Sequence, residues 1–184
     1  MDEIGLDVCV KVGKIMHDGL GQRAFPSSLS TKLYDAKLLG KKSSKGFFLY
    51  DEKGKVTGKN PEIVKLLPTK KTRKDEMVIQ MRLFLPMVNE AAYILADKIC
   101  DKASTVDIGM IYGTGFPPFK GGLLRWADQE GLDQIVERIN NFAQEVSADR
   151  YALAPFLSLM VQDNKKFYDL WPWKFGHFTA TFLI

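Results

Sequence analysis

The sequence predicts a mainly α-helical protein with one small β element near residues 47–56. Apolar residues recur at helical spacing along most of the chain. An aromatic run at residues 47–50 is bracketed by glycines, as in a small strand or hairpin. The phrase D-x-x-G-L-D occurs at residues 2–7 and again at 128–133, each time before an amphipathic stretch. A repeated phrase that is followed each time by a similar amphipathic stretch indicates two copies of one structural unit.

The repeat predicts a tandem organisation with an incomplete first copy. A long helical stretch precedes the second phrase, whereas Met1 alone precedes the first. We therefore expect a partial first copy over residues 1–70, a complete second copy over 71–170 and an atypical aromatic tail over 171–184. The polar stretch 68–75 is the expected linker between the copies.

The first copy is expected to begin with a helix over residues 4–20 that Gly21 stops. Alternation there also suits a strand, but the helical spacing after the second phrase favours a helix with one apolar stripe: Ile4, Val8, Val12, Ile15 and Leu20. A short helix is predicted over 29–39, with Ser27 or Ser28 as N-cap and Gly40 as its end. Another is expected between Pro61 and Pro68.

The second copy is expected to be built on a central helix over residues 76–99, which is apolar nearly all round. Pro86 inside it leaves the carbonyl of Arg82 without its helical donor, so we expect a kink. Ser104 or Thr105 should cap a helix over 105–112 that Gly113 closes. Further helices are predicted near 121–129, 132–146 and 152–162.

The charge is concentrated in one stretch. Residues 37–74 carry twelve Lys or Arg against three acidic residues, in a chain of net charge +4. A solvated linker face is the plain interpretation, an anionic ligand or partner is the alternative, and no nucleic-acid-reading pattern accompanies the charge. Two isolated cysteines indicate neither a disulfide framework nor a metal site. We see no signal peptide and no apolar run long enough for a membrane span.

Residues for cofactor or acid–base chemistry are sparse. The sequence has no dinucleotide fingerprint, no P-loop and no H-E-x-x-H. His17, near the end of the first helix, is expected to have a structural or surface role, and His177 has no carboxylate nearby in sequence. Two polar residues in the central helix, Asn89 and Glu90, should be hydrogen-bonded, either as supports of a loop or as substrate contacts. Gly115, Phe116 and Pro117 begin a rigid loop that is the other candidate. We expect no catalytic, cofactor or metal residue in this chain.

Three segments carry a resemblance to a known family: RLFLPMVNEAAYILAD, VDIGMIYGTGFPPF and KGGLLRWAD. They resemble the C-terminal domain of 3-hydroxyacyl-CoA dehydrogenases, most closely the multifunctional α-subunits of fatty-acid β-oxidation. DEIGLDVCVKVGKIM and GKKSSKGFFLYD resemble the second half of the first of two tandem domains. The resemblance spans residues 2–168 and implies a helical bundle similar to the C-terminal domain of 6-phosphogluconate dehydrogenase.

The resemblance implies that the chemistry resides elsewhere. In such enzymes a Rossmann domain binds NAD and supplies a catalytic histidine with its glutamate partner. The family's substrate-positioning asparagine would fall at Met81, within Gln80-Met81-Arg82, and a thioether cannot make its hydrogen bonds. This chain is therefore expected to form part of the wall of the acyl-CoA cleft, to bind no cofactor and to be inactive alone.

Two other functions are kept as alternatives. The chain could be a non-catalytic assembly module that docks other β-oxidation subunits, such as a thiolase. It could also be a stand-alone acyl-CoA binder that uses Lys41, Lys42 and Lys45. The expected compartment is the bacterial cytoplasm or, in a eukaryote, the mitochondrial matrix or the peroxisome.

Overall fold

The computed structural model describes residues 1–67 and 75–170. The chain divides into two compact units, Met1–Arg73 and Lys74–Ile184, called unit 1 and unit 2 below. The predicted linker (apart from Asp75) and the aromatic tail at 171–184 lie outside the described residues.

Unit 1 consists of short helices and one hairpin. Its helices are α1 (Leu6–Leu20), α2 (Ser28–Asp35) and α3 (Glu62–Leu66), with 3₁₀ turns at Gly21–Ala24 and Lys41–Ser43. Strands β1 (Phe48–Tyr50) and β2 (Val56–Lys59) pair antiparallel, with Phe48 opposite Lys59 and an irregularity after Leu49. The predicted small β element is therefore a hairpin.

The core of unit 1 is small, and α1 contributes one fully buried residue to it. Leu6, Leu33, Leu38 and Ile63 form this core. Most of the predicted α1 stripe faces solvent: Ile4, Val8, Val12 and Ile15 are exposed and Leu20 is half-buried. The helix was predicted correctly, but the residue that α1 places in the core is Leu6.

Unit 2 is a bundle of five helices within the described residues. They are α4 (Glu76–Ala96), α5 (Ala103–Thr114), α6 (Leu123–Glu130), α7 (Leu132–Glu145) and α8 (Pro155–Gln162), with 3₁₀ turns at Pro118–Lys120 and Phe167–Leu170. Helix α4 contacts α6, α7 and α8, and α5 packs on α6. The longest helix is thus the centre of the bundle, as its apolar character predicts.

Pro86 lies inside α4, and the structure provides a substitute for the hydrogen bond that it removes. The hydroxyl of Tyr151 donates to the carbonyl oxygen of Arg82 over 3.1 Å. Tyr151 is buried and follows α7, so the partner comes from a distant part of the chain. A proline in a helix interior is tolerated where a neighbouring group takes the freed carbonyl.

Several predicted helix ends are wrong by a few residues. Helix α2 ends at Asp35 rather than near Gly40, because Lys37 adopts a left-handed conformation with φ 58°. Ser27 is at its N-cap position, but its side chain makes no capping bond. Helix α5 begins at Ala103, before the expected caps Ser104 and Thr105, and it ends at Thr114 rather than at Gly113.

Candidate functional site: the aspartate-anchored loops

The loop after α5 is fixed by backbone bonds and by one buried aromatic ring. Gly115 has φ 73° and its N–H donates to Ile111, while the N–H of Phe116 donates to the carbonyl of Met110. Pro117 is half-buried and its carbonyl accepts from Lys120. These backbone hydrogen bonds join the start of the loop to the end of α5, and the rigidity of the loop stays a prediction.

Phe116 belongs to the hydrophobic core. Its side chain is 3% exposed, and its ring centroid lies 5.2 Å from that of Phe84 on α4. Phe84 in turn meets Trp126 on α6 at 5.4 Å, edge to face. Three aromatic rings thus join α4, α6 and the loop, and such pairs contribute about 0.5–1.5 kcal/mol each beyond their buried area.

Asn89 supports a different loop, the connection between α7 and α8. Its Nδ2 donates to the carbonyl of Ala152 and its Oδ1 accepts from the N–H of Ala154, both over 2.8 Å. Asn89 is buried, and Glu90 beside it is half-buried. The amide of Asn89 is hydrogen-bonded to the α7–α8 loop, whereas the buried ring of Phe116 anchors the loop after α5. These two candidate residues therefore support two separate loops.

Sequence reasoning missed the buried carboxylate of Asp107, which organises the start of α6 from α5. It accepts from the N–H groups of Leu124 (2.6 Å) and Arg125 (3.0 Å) and from the hydroxyl of Tyr168 (2.7 Å). The carboxylate satisfies N–H groups that the first turn of a helix leaves without intrahelical partners. An acid among apolar residues on α5 was the available signal.

A second missed carboxylate, Asp128 on α6, fixes the C-terminal 3₁₀ turn. It accepts from the N–H groups of Phe167 (2.9 Å) and Tyr168 (3.1 Å). Burial raises the pKa of Asp128, and its two N–H donors partly oppose that rise. Burial, followed by the hydrogen bond to Asp107, raises the pKa of Tyr168 to about 12, and the Arg125 guanidinium lies 3.4 Å from the Tyr168 ring centroid.

In unit 1, the carboxylate of Asp2 makes the same kind of hydrogen bonds as that of Asp128 in unit 2. Asp2 is buried and accepts from the N–H groups of Phe47 (3.1 Å) and Phe48 (3.0 Å). The hydroxyl of Tyr50 also donates to it, over 3.0 Å. Asp2 and Asp128 are the first residues of the two D-x-x-G-L-D phrases, and each binds two consecutive amides. We call this arrangement the aspartate clamp.

The remaining positions of the phrases also match. Gly5 and Gly131 precede α1 and α7 with φ 102° and 92°, a region that favours glycine. The leucines that follow, Leu6 and Leu132, are both buried. The repeated phrase therefore marks the same local structure in both units.

These carboxylates are structural acceptors, and their bonds hold backbone segments together. Among residues 1–67 and 75–170, no group of three or more His, Cys, Asp or Glu side chains could hold a metal ion. No helix in that part of the chain is long and apolar enough to cross a membrane.

The lysines of the alternative acyl-CoA site are paired with acidic side chains. Lys41 meets Glu3 at 3.2 Å, Lys45 meets Glu62 at 3.3 Å, and Lys42 pairs with Asp7. The hydrogen bond from Lys42 lowers the pKa of Asp7. A phosphate-bearing ligand would have to compete with these acids for the three ammonium groups.

Comparison with known families decides the classification. The family model for the 3-hydroxyacyl-CoA dehydrogenase C-terminal domain matches residues 1–50 and 79–167, more than half of the chain. The chain belongs to this family. It resembles a part of fatty acid oxidation complex α-subunits and of the dehydrogenase part of a multifunctional enzyme.

The chain also matches individual relatives. It is 39% identical over 171 residues to the fatty acid oxidation complex subunit alpha of Idiomarina loihiensis, and 38% identical over 170 residues to that of Vibrio vulnificus. These matches cover 91% and 92% of the chain but 24% of each relative, so the chain spans about a quarter of their length. The crystal structure of the dehydrogenase part of multifunctional enzyme 1 from C. elegans matches with a TM-score of 0.59 and 26% identity, over 86% of this chain and 36% of that one. The predicted family and mainly helical fold class are confirmed.

Proposed function

We propose that this chain provides the helical support of an enzyme that oxidises 3-hydroxyacyl-CoA to 3-ketoacyl-CoA with NAD in fatty-acid β-oxidation. The nucleotide domain and the catalytic histidine–glutamate pair would come from protein outside these 184 residues. In this proposal the chain holds one side of the acyl-CoA cleft and the interface to that domain. Its own contribution is packing and rigidity.

The aspartate clamp is the observation that carries the proposal, because it supports a tandem arrangement. We propose that unit 1 is the second half of one C-terminal domain and that unit 2 is a complete one. The family match in two stretches, 1–50 and 79–167, agrees with this division. Met81 has a packing role in unit 2, since its sulfur lies 3.4 Å from Nη1 of Arg138 on another helix of the bundle.

Within this function the candidate residues take two roles. We propose that Asn89, Gly115 and Phe116 are loop supports, since their hydrogen bonds or packing partners are internal. Glu90 and Pro117 are half-buried and remain the candidates for contact with the cleft.

An assembly role is the second candidate function, and exposed apolar residues favour it. Ile108 and Tyr112 on α5 and Phe119 in the following turn are 57%, 87% and 86% exposed. The named relatives are subunits of a complex, so a thiolase subunit is the proposed partner. Replacing Tyr112 and Phe119 with serine should abolish co-purification with the thiolase subunit without changing the circular dichroism. Unchanged co-purification would count against this role.

A chimera tests the main proposal. The C-terminal quarter of the Idiomarina loihiensis subunit would be replaced by this chain, and NADH formation from a 3-hydroxyacyl-CoA would be followed. We expect the chimera to be active and the same subunit without its C-terminal quarter to be inactive. A folded chimera without dehydrogenase activity would contradict the proposal, as would full activity of the shortened subunit.

A further inference from the structure

Arg125 on α6 is held in place at three points. Its backbone N–H donates to Asp107, and its aliphatic part lies over Gly121, where an added Cβ would lie 2.8 Å from the Arg125 Cγ. Its Cζ lies 3.4 Å from the centroid of the Tyr168 ring, which is a cation–π contact. The side chain of Arg125 is exposed, yet these three contacts fix where its guanidinium lies.

The ring that carries this guanidinium is itself fixed at both ends. The Tyr168 hydroxyl donates to Asp107 on α5 over 2.7 Å, and the Tyr168 N–H donates to Asp128 on α6 over 3.1 Å. The preceding residue, Phe167, is buried in the core of unit 2. The aromatic platform under Arg125 is therefore tied to two helices of the bundle.

Arg125 also differs from other cationic side chains of the protein because it has no acidic partner. Four of those side chains each pair with a carboxylate: Lys41, Lys42, Lys45 and Arg138. In the part of the chain that the structure describes, no carboxylate forms an ion pair with the guanidinium of Arg125. A guanidinium has parallel N–H donors that match the two oxygens of a carboxylate. Arg125 thus presents oriented donors without an acceptor.

We propose that Arg125 binds the carboxylate of an Asp or Glu side chain on a protein partner, with Phe119 as its apolar neighbour in the interface. Phe119 is 86% exposed and precedes Gly121, over which the Arg125 side chain lies, by two positions. Arginine and aromatic residues are enriched among the residues that dominate binding at protein interfaces. The inference rests on the assembly role proposed above and names the chemical group that the partner must supply.

A protein carboxylate suits this position better than a phosphate. Three acidic side chains belong to the network around Tyr168: Asp107, Asp128 and Asp169. Their repulsion of a bound anion is proportional to the charge of that anion, so it is greater for a phosphate dianion than for a carboxylate. A single guanidinium among three acids therefore favours the monoanion.

Acetate titration of the whole chain, followed by NMR at the arginine Nε–Hε signals, tests the site without a partner. Arg150 is the matched control, because it is exposed and has no aromatic ring under it among the described residues. We expect the dissociation constant for acetate to be about threefold lower at Arg125 than at Arg150, because the guanidinium of Arg125 is already oriented. Equal constants would overturn the proposal. Tighter binding of inorganic phosphate than of acetate at Arg125, at the same ionic strength, would also overturn it.

Two variants of the platform separate orientation from charge. Y168L removes the ring, so the acetate dissociation constant at Arg125 should rise to that of Arg150. Y168F keeps the ring and loses the hydroxyl bond to Asp107, so the tighter binding should persist. Unchanged binding in Y168L would contradict the role of the platform. If circular dichroism shows that Y168L has lost its helices, the comparison of Arg125 with Arg150 decides the question alone.

Co-purification with the thiolase subunit tests the partner. R125M should weaken it about tenfold, as expected of a central interface arginine, and R150M should leave it unchanged. R125K should behave like R125M, because an ammonium cannot make the bidentate contact. Full co-purification of R125M would overturn the inference and leave the assembly role standing. If the parent chain itself does not co-purify, the assembly role fails, and the acetate titration alone decides the inference.

Discussion

Replacing Gly122 with alanine should be among the most damaging single-atom changes in unit 2. Gly122 precedes α6 with φ 111°, and an added Cβ would overlap Cβ and Cγ of Asp107. The backbone conformation alone costs an L-residue about 1–3 kcal/mol. Displacing Asp107 would weaken its bonds to Leu124, Arg125 and Tyr168, and hydrogen bonds to charged groups contribute about 1.5–3 kcal/mol each. We expect a loss of about 3–6 kcal/mol in the free energy of unfolding.

The assay is urea unfolding followed by circular dichroism, and G109A is the matched control. Gly109 lies on the exposed face of α5, and an added Cβ there meets nothing within 4 Å. G109A should therefore stabilise unit 2 by about 1 kcal/mol, the helix propensity difference between glycine and alanine. A G122A protein as stable as G109A would refute the role assigned to Asp107 and to the tight approach at Gly122.

Three further perturbations follow from the same contacts. N89A should cost about 2–4 kcal/mol because it leaves the buried Ala154 N–H without its acceptor, and limited proteolysis should then cut the α7–α8 loop faster than in the parent chain. Y151F should lower the free energy of unfolding by about 1 kcal/mol. The loss should be clearly smaller in a P86A background, because residue 86 then again has an N–H that can donate to the Arg82 carbonyl. Additive effects in this double-mutant cycle would contradict the account. The raised pKa of Tyr168 stabilises the fold fully below pH 10 and progressively less as pH rises to about 12, so Y168F should flatten the alkaline limb of the stability curve.

Periodicity and turn chemistry made most of the fold predictable. The apolar cover of α4, the stop at Gly21 and the aromatic hairpin near Phe48 follow from patterns within a few residues of each other. The ends of α2 and α5 were misplaced, since Lys37 takes up a left-handed conformation without being glycine. Such an ending depends on packing around the helix end, which local sequence does not reveal.

The polar contacts of the site were less predictable because they join distant parts of the chain. Asp128 binds amides about forty positions away, and Asp107 caps a helix other than its own. The repeated phrase did mark Asp2 and Asp128 as equivalent, but it carried no information about their partners. The exposed α1 stripe was misjudged for the same physical reason, since burial depends on which helix covers a face.

Titration of the shortened Idiomarina loihiensis subunit with this chain tests the central claim most directly, with the rate of NADH formation from a 3-hydroxyacyl-CoA as the measured quantity. The account predicts a rate that starts near zero, rises with chain concentration and saturates, while the chain by itself forms no NADH. A flat response would contradict it, and so would turnover by the isolated chain.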